Sequence, residues 1–347
     1  MLKRLAIALA CLLLLGAGAA AFAWQELLAR IEAPHSGIAA AGAFVEIEPG
    51  DSVAAIAGRL VTAGIVADEW TFRFAARRSG RDRYLQAGEY FFDAPVSPLA
   101  AVTKIADGRV HLRPITFPEG LTLPAMAAIV EAKGLGSAEA FAGAASRTAL
   151  IADLDPHATD LEGYLFPETY LLPRHATVDD LVTAMVAQFR AVFDDDLRAR
   201  AAARGLSVRE AVTLASVIQR ETGSAAENAL VSAVFNNRLR IGMRLQSDPT
   251  VIYALEQAGT YDGNLTRTNM RVDSPYNTYR YGGLPPGPIA APGRDVLQAA
   301  LDPADVTYLY FVSRNDGTHA FADTLREHNR NVREFQVEYF RRQRAGR

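Results

Sequence analysis

Glu221 occupies a position from which a carboxylic acid can do chemistry. Ser207 and Glu210 have the spacing of a capping box, which opens a helix running from Val208 to about Thr222. Its apolar stripe takes in Ala211, Leu214, Ala215 and Ile218, and the next step of that stripe lands on Glu221. An inward-facing acid is unusual, because burying an ionised carboxylate is costly. Two readings stand side by side. Paired with Arg220, Arg238 or Arg244, the acid would be structural. Desolvated and unpaired, its pKa would climb from about 4.3 toward about 6, where a carboxyl can act as a general acid.

Downstream, Gln246, Asp248, Tyr276, Asn277, Thr278 and Tyr279 bring amide, carboxylate, hydroxyl and aromatic groups to predicted loop and helix-cap positions. Sugar sites use this mixture, with flat rings stacking on apolar faces and convergent polar groups reading hydroxyls. Each residue alone is also an ordinary cap or turn former. Asp248 before Pro249 reads as an N-cap whether or not it touches a ligand. Glu162, among Tyr164, Phe166 and Pro167, reads as part of a packed turn. His319 and His328 have no third ligand nearby in sequence, so no metal site is expected.

These residues need a frame to position them. Phe44–Glu48 alternates apolar and polar as a short strand, ended by Pro49-Gly50. Ser52 then caps a helix with Val53, Ile56, Ala57 and Leu60 on one face and Gly64 as its stop. A similar pattern recurs about seventy residues later, with Thr122, Leu123, Met126, Ala127, Val130 and Gly134. Two copies suggest related strand–turn–helix units or one local solution used twice. Beyond about residue 150 the chain is helix-rich, with helices expected from Ala225 to Arg240 and from Asp248 onward. GGLPPGPIAAPG (282–293) reads as a rigid loop, and Tyr308–Val312 with Thr318–Phe321 as a hairpin. The arginine-rich C-terminal helix reads as a solvated face.

At the N-terminus, Lys3 and Arg4 precede nineteen uncharged residues from Leu5 to Ala23. That is close to the length of a membrane span, and the leading cations put the N-terminus in the cytoplasm and the body outside. Trp24 stands where an interfacial anchor belongs. A signal peptide cut after Ala21-Phe22-Ala23 is the rival. Composition narrows the rest. Half of the 347 residues are hydrophobic and the net charge is −3, which leaves no basic field for nucleic acid. Cys11, the single cysteine, lies in the apolar run. A disulfide scaffold, a CxxC metal site and a cysteine nucleophile in the soluble part are therefore excluded.

Two resemblances organise these observations. VEIEPGDSVAAIAGRL, with AGIV and LQAGEYFF after it, resembles a LysM module, a small βααβ fold that binds glycan strands. LEGYLFPETY (161–170), LASVIQRETG (214–223), FNNRLRIGMRLQSDPTVIYAL (235–255), SPYNTYRYGGLPPGPIAAPG (274–293) and YLYFVSRNDGTHAF (308–321) resemble the endolytic murein transglycosylase family (MltG, or YceG-like). These motifs cover most of residues 110 to 335. They imply an α+β fold: residues 1–4 cytoplasmic, a transmembrane helix over 5–24, a linker over 25–42, a LysM-like module over 43–110 and a helix-rich catalytic domain over 111–347. The protein would be a single-pass inner-membrane protein with its catalytic domain periplasmic.

The resemblance also implies the reaction. A lytic transglycosylase cleaves the β-1,4 bond between N-acetylmuramic acid and N-acetylglucosamine within a strand and leaves a 1,6-anhydro end. Many members of the family that this chain resembles carry an acid where it has Gln219, which leaves Glu221 at the position of the family's catalytic glutamate. The substrate's own C6 hydroxyl attacks C1, so one carboxylate can serve as acid and then base where ordinary glycosidases need two. Gln246, Asp248, Tyr276, Asn277, Thr278 and Tyr279 would contact substrate. No cofactor or metal is implied; peptidoglycan strands, the membrane and peptidoglycan synthases are the implied partners, with a role in terminating glycan elongation. Two other functions compete: a hydrolytic muramidase with Asp248 or Asp273 as second carboxylate, and a non-catalytic wall-binding scaffold. A pure binder, however, gains nothing from a semi-buried acid.

Overall fold

A computed structural model describes residues 2–39 and 41–345. The fold is mixed α+β, rich in helices, with three two-stranded sheets among the described residues, and the chain divides into two compact units.

The first unit runs to Arg113 and takes in Leu171–His175. It opens with α1 (Leu2–Glu32), in which Leu9–Glu32 is long and apolar enough to cross a membrane. There follow β1 (Ala43–Ile47), α2 (Val53–Thr62), α3 (Glu69–Arg78), β2 (Gly88–Phe92) and α4 (Pro98–Ala106). Ser52, Asp68 and Ser97 each cap the helix that follows with a side-chain oxygen. β1 and β2 pair antiparallel, with Val45 opposite Tyr90 and Glu46 opposite Glu89. Val45, Ile47, Tyr90 and Phe92 face a core shared with Leu60, Phe72, Val102 and, from α1, Ile31. On the other face two like charges stand opposite each other, an unfavourable pairing that cations offset. Arg174 lies 2.6 Å from Glu89 and 3.8 Å from Glu46, and Arg113 lies 2.7 Å from Glu89. Burial would raise the Glu89 pKa, but these guanidinium groups hold it below the usual range.

The second unit begins within β3 (Arg113–Thr116) and holds α5 (Leu123–Ala132), α6 (Ala138–Ala145), most of the chain around β4 (Thr169–Leu172), and α7 (Val178–Val192). α8 (Asp195–Ala203), α9 (Val208–Glu221), α10 (Asn228–Arg240), α11 (Asp248–Gln257) and α12 (Arg294–Leu301) form its body. The hairpin of β5 (Tyr310–Ser313) and β6 (His319–Ala322), then α13 (Leu325–Val332) and α14 (Tyr339–Ala345), complete it. β3–α5–α6–β4 repeats the element order of β1–α2–α3–β2, and Thr122 caps α5 as Ser52 caps α2.

One burial pattern and two boundaries differ from expectation. α9 is not half-buried along a stripe: every residue from Ala211 to Ile218 is buried, because α8, α10, α11 and α12 all pack on it. α10 starts at Asn228, after a single 3₁₀ turn over Ala225–Glu227. The N-cap of α11 is Ser247 and not Asp248, and its hydroxyl makes no capping bond because it is engaged elsewhere.

Candidate active site

Glu221 stands at the last turn of α9, where the helix leaves its buried stretch Ala211–Ile218 and meets a cleft. Three of its neighbours fix that turn. Ser216 accepts a hydrogen bond from the Ile289 backbone N–H at 3.0 Å, Gln219 accepts one from Gly293 at 2.9 Å, and Arg220 donates to the Gly120 carbonyl at 3.1 Å. The proline-rich loop is thus strapped along the helix, as a segment without a ladder of its own requires. From the other side Gly163 holds the strap closely. It has φ +80°, and a Cβ there would come within 2.5 Å of Pro288.

The cleft, about 290 Å³, is lined by Glu221, Arg238, Gln246, Asp248, Tyr279 and His328, with Leu245, Tyr310, Phe311 and Leu325 supplying apolar surface. Ser247 donates its hydroxyl to Glu221 Oε1 at 2.5 Å. None of the three arginines considered as partners forms an ion pair with Glu221. Arg220 goes to Gly120, Arg244 donates to the Tyr279 carbonyl at 3.1 Å, and Arg238 is spent on the carbonyls of Leu309 and Leu245. Burial therefore prevails. It pushes the Glu221 carboxyl up to about 7, with Asp248 adding to the rise and Ser247, His319 and Arg238 opposing it. Such an acid is part protonated near neutrality and can both give and take a proton.

The other residues sort by position. Gln246 lines the cleft from a left-handed backbone conformation (φ 51°), uncommon outside glycine, and its N–H donates to the Thr278 carbonyl at 3.3 Å. Asp248 accepts the Tyr279 hydroxyl at 2.6 Å, and burial followed by that bond raises the Tyr279 pKa. Thr278 is buried behind the cleft, where its hydroxyl accepts from the Ser247 N–H at 3.0 Å and meets Thr250 at 2.9 Å. Asn277 is fully buried and pins its loop, donating to the carbonyls of Met270 and Val272 and accepting from the Tyr279 N–H. Tyr276 packs at a tilt against Tyr253, ring centres 4.9 Å apart; neither it nor Asn277 lines the cleft. Asp273 accepts from Tyr281 at 2.7 Å and is also not a lining residue.

Sequence reasoning missed Ser247, Tyr310 and Phe311, and it weighed Arg238 only as an ion-pair partner and His328 only as a metal ligand, not as walls of the cleft. Arg238 is buried beneath Tyr310, 5.5 Å from the ring centre, and burial lowers its pKa. His328 stacks on Tyr310 at 5.2 Å, and its buried Nδ1 has no hydrogen-bond partner. Burial and Arg238 lower its pKa, favouring the neutral ring. His319 instead binds Glu227 through Nδ1 at 2.6 Å. Glu162 is buried, accepts the Leu123 N–H at 3.1 Å, and is pushed by burial to about 8. Among the described residues no three His, Cys, Asp or Glu side chains gather as a metal-ligand set.

With this geometry in hand, comparison with known proteins places the chain. A profile of the YceG-like family matches residues 45–334. The endolytic murein transglycosylase of Bacillus subtilis (strain 168) is 32% identical over 302 residues, covering 82% of each chain. That of Streptococcus pneumoniae serotype 2 is 29% identical over 325 residues, covering 84% of this chain and 58% of its own length. A 2.6 Å crystal structure of a YceG-like protein from Listeria monocytogenes superposes with a TM-score of 0.58 at 29% identity, over 84% of this chain and 99% of that one. The chain belongs to the YceG-like family.

Proposed function

We propose that this YceG-like protein is a membrane-anchored endolytic lytic transglycosylase. It cuts the β-1,4 bond between N-acetylmuramic acid and N-acetylglucosamine inside peptidoglycan strands and leaves 1,6-anhydro ends. The observation that carries the reading is Glu221: an acid pushed to about 7, facing a cleft, with a hydroxyl partner and no ion pair. Glu221 gives its proton to the glycosidic oxygen as the bond to C1 breaks. The muramyl C6 hydroxyl closes on C1, and the Glu221 carboxylate takes the hydroxyl proton. No water is consumed and the acid is restored. Tyr279 and Gln246 stand where they can hold the ring as positive charge develops, and Asp248 orients Tyr279. Asn277 and Thr278 act through the loop they brace.

In this reading α1 is a retained anchor with Lys3 and Arg4 on the cytoplasmic side of the inner membrane and the second unit outside. Residues 43–110 serve as a LysM-like grip on the glycan. Cleavage beside the membrane would meet nascent strands and end their elongation, in company with the synthases that make them. Asp248 favours one competing reaction, hydrolysis with a second carboxylate, because it lines the same cleft. Product mass separates the two. Purified glycan strands treated with the enzyme should yield ends one water lighter than reducing ends, and E221Q should yield neither. Reducing ends from the wild type would replace lytic cleavage with hydrolysis.

A further inference from the structure

α3 turns an unusual face to solvent. Trp70, Arg73, Phe74 and Arg77 follow i, i+3, i+4, i+7 along it, while Thr71, Phe72, Ala75 and Ala76 face the core. Trp70 is 59% exposed. Its ring stacks on Phe74 at 5.5 Å, and Phe74 meets Trp24 of α1 edge-on at 5.8 Å. Trp24 is the residue that follows the apolar run Leu5–Ala23, and α1 continues unbroken from it to Glu32, with Leu28 and Ile31 packed into the core of this unit. The ring ladder therefore ties Trp70 to the end of the apolar run through packed contacts rather than a linker.

We propose that this face of α3 is a lipid-docking surface seated in the headgroup layer of the membrane that α1 crosses; the inference rests on the anchor reading. At 1.5 Å per residue the apolar run is about 28 Å long, close to the roughly 30 Å hydrocarbon thickness. That puts Trp24 at the interface, and Phe74 and Trp70 follow within two ring contacts. Interfacial aromatic rings with basic neighbours are the composition such a layer takes. Arg73 and Arg77 have no ion-pair partner among the described residues, and they line a groove of about 410 Å³ with Trp70 and Ser52 at the start of α2. The groove suits the phosphate of an anionic lipid: two guanidinium groups and a helix N-terminus converge on it. Asp82 also lines it and Glu69 precedes Trp70, so the surface carries acids as well. A flat sugar is the other partner an exposed indole suits; contact with Trp24 favours lipid.

The two tryptophans are the only ones in the chain, which makes the test direct. The full chain is reconstituted into phosphatidylethanolamine–phosphatidylglycerol vesicles with brominated acyl chains, as W24F (reporting Trp70) and as W70F (reporting Trp24). Bromine should quench both emissions, Trp70 included. Replacing phosphatidylglycerol by phosphatidylcholine, or introducing R73E/R77E, should lower quenching at Trp70 severalfold and leave Trp24 unchanged. Quenching of Trp24 alone overturns the docking surface and leaves the anchor standing. Quenching of neither overturns the anchor reading and the surface with it. A Trp70 emission that responds to soluble glycan fragments and not to brominated lipid also overturns the assignment, in favour of sugar.

Discussion

Ser247 gives its hydroxyl to Glu221 across 26 positions of sequence, at 2.5 Å, and so joins the end of α9 to the start of α11. The bond costs α11 its side-chain cap, since Ser247 holds the N-cap position without capping. A helix cap is worth about 1 kcal/mol, so the site draws on stability that the fold would otherwise have.

The bond also sets proton affinity. Ser247 donates to the carboxylate form and holds the Glu221 pKa below what burial alone would produce. S247A should therefore move the alkaline limb of the rate profile upward by about one unit, the equivalent of one charge-assisted hydrogen bond. An unmoved or lowered limb would remove Ser247 from control of the acid.

Glu221 should weigh on stability above its normal titration range. Its folded pKa, about 7, exceeds the ordinary value of 4.5, so folding favours the protonated form. The cost is absent well below 4.5, grows between 4.5 and 7, and is complete above 7. E221Q should match the wild type in thermal melts at pH 3.5 to 4 and exceed it at pH 8, by about 1–3 kcal/mol. Destabilisation by E221Q at pH 8 alone would point to an ion-paired glutamate.

Glu162 is a second buried acid with a different expected signature. With its pKa near 8 it is protonated at neutral pH, where it accepts the Leu123 N–H. E162Q keeps an acceptor and nearly the same shape, so its melting should match the wild type near pH 4, where Glu162 is protonated folded and unfolded alike. E162A opens a void and leaves the N–H unmet, at about 2–4 kcal/mol. Between pH 4.5 and 8 the wild type should progressively lose stability that E162Q retains, because the unfolded chain ionises there while the buried carboxyl does not, and the loss is complete above 8. Equal alkaline melts would show that Glu162 is not desolvated.

Gly163 should tolerate no side chain. G163A combines a left-handed backbone with a Cβ 2.5 Å from Pro288, and the proline ring cannot swing away. We expect a loss of about 2–4 kcal/mol in chemical denaturation. A neutral substitution would mean that the strap over α9 is loosely held.

Much of the frame was legible in the sequence because caps are local. Ser52 and Ser207 each cap the helix expected of them. Glu221 was legible as an acid at the end of an apolar helix, although the stretch Ala211–Ile218 is buried all round and not along a stripe. What was hidden is long-range. Nothing local distinguishes a serine that caps α11 from one that turns to Glu221. Arg238, Tyr310 and His328 meet only when α10, the hairpin and α13 converge. The same holds for Asn277, which reads as a sugar ligand by type while the fold spends its amide on the Met270 and Val272 carbonyls.

The pH dependence of strand cleavage tests the central claim most directly. If Glu221 must be protonated to give its proton to the glycosidic oxygen, kcat/KM should fall along an alkaline limb centred near 7. E221Q should lose about 10²–10⁴-fold of the rate at the optimum, together with the limb itself. A profile that stays flat through pH 9, or an E221Q variant that cleaves at the wild-type rate, would contradict the account.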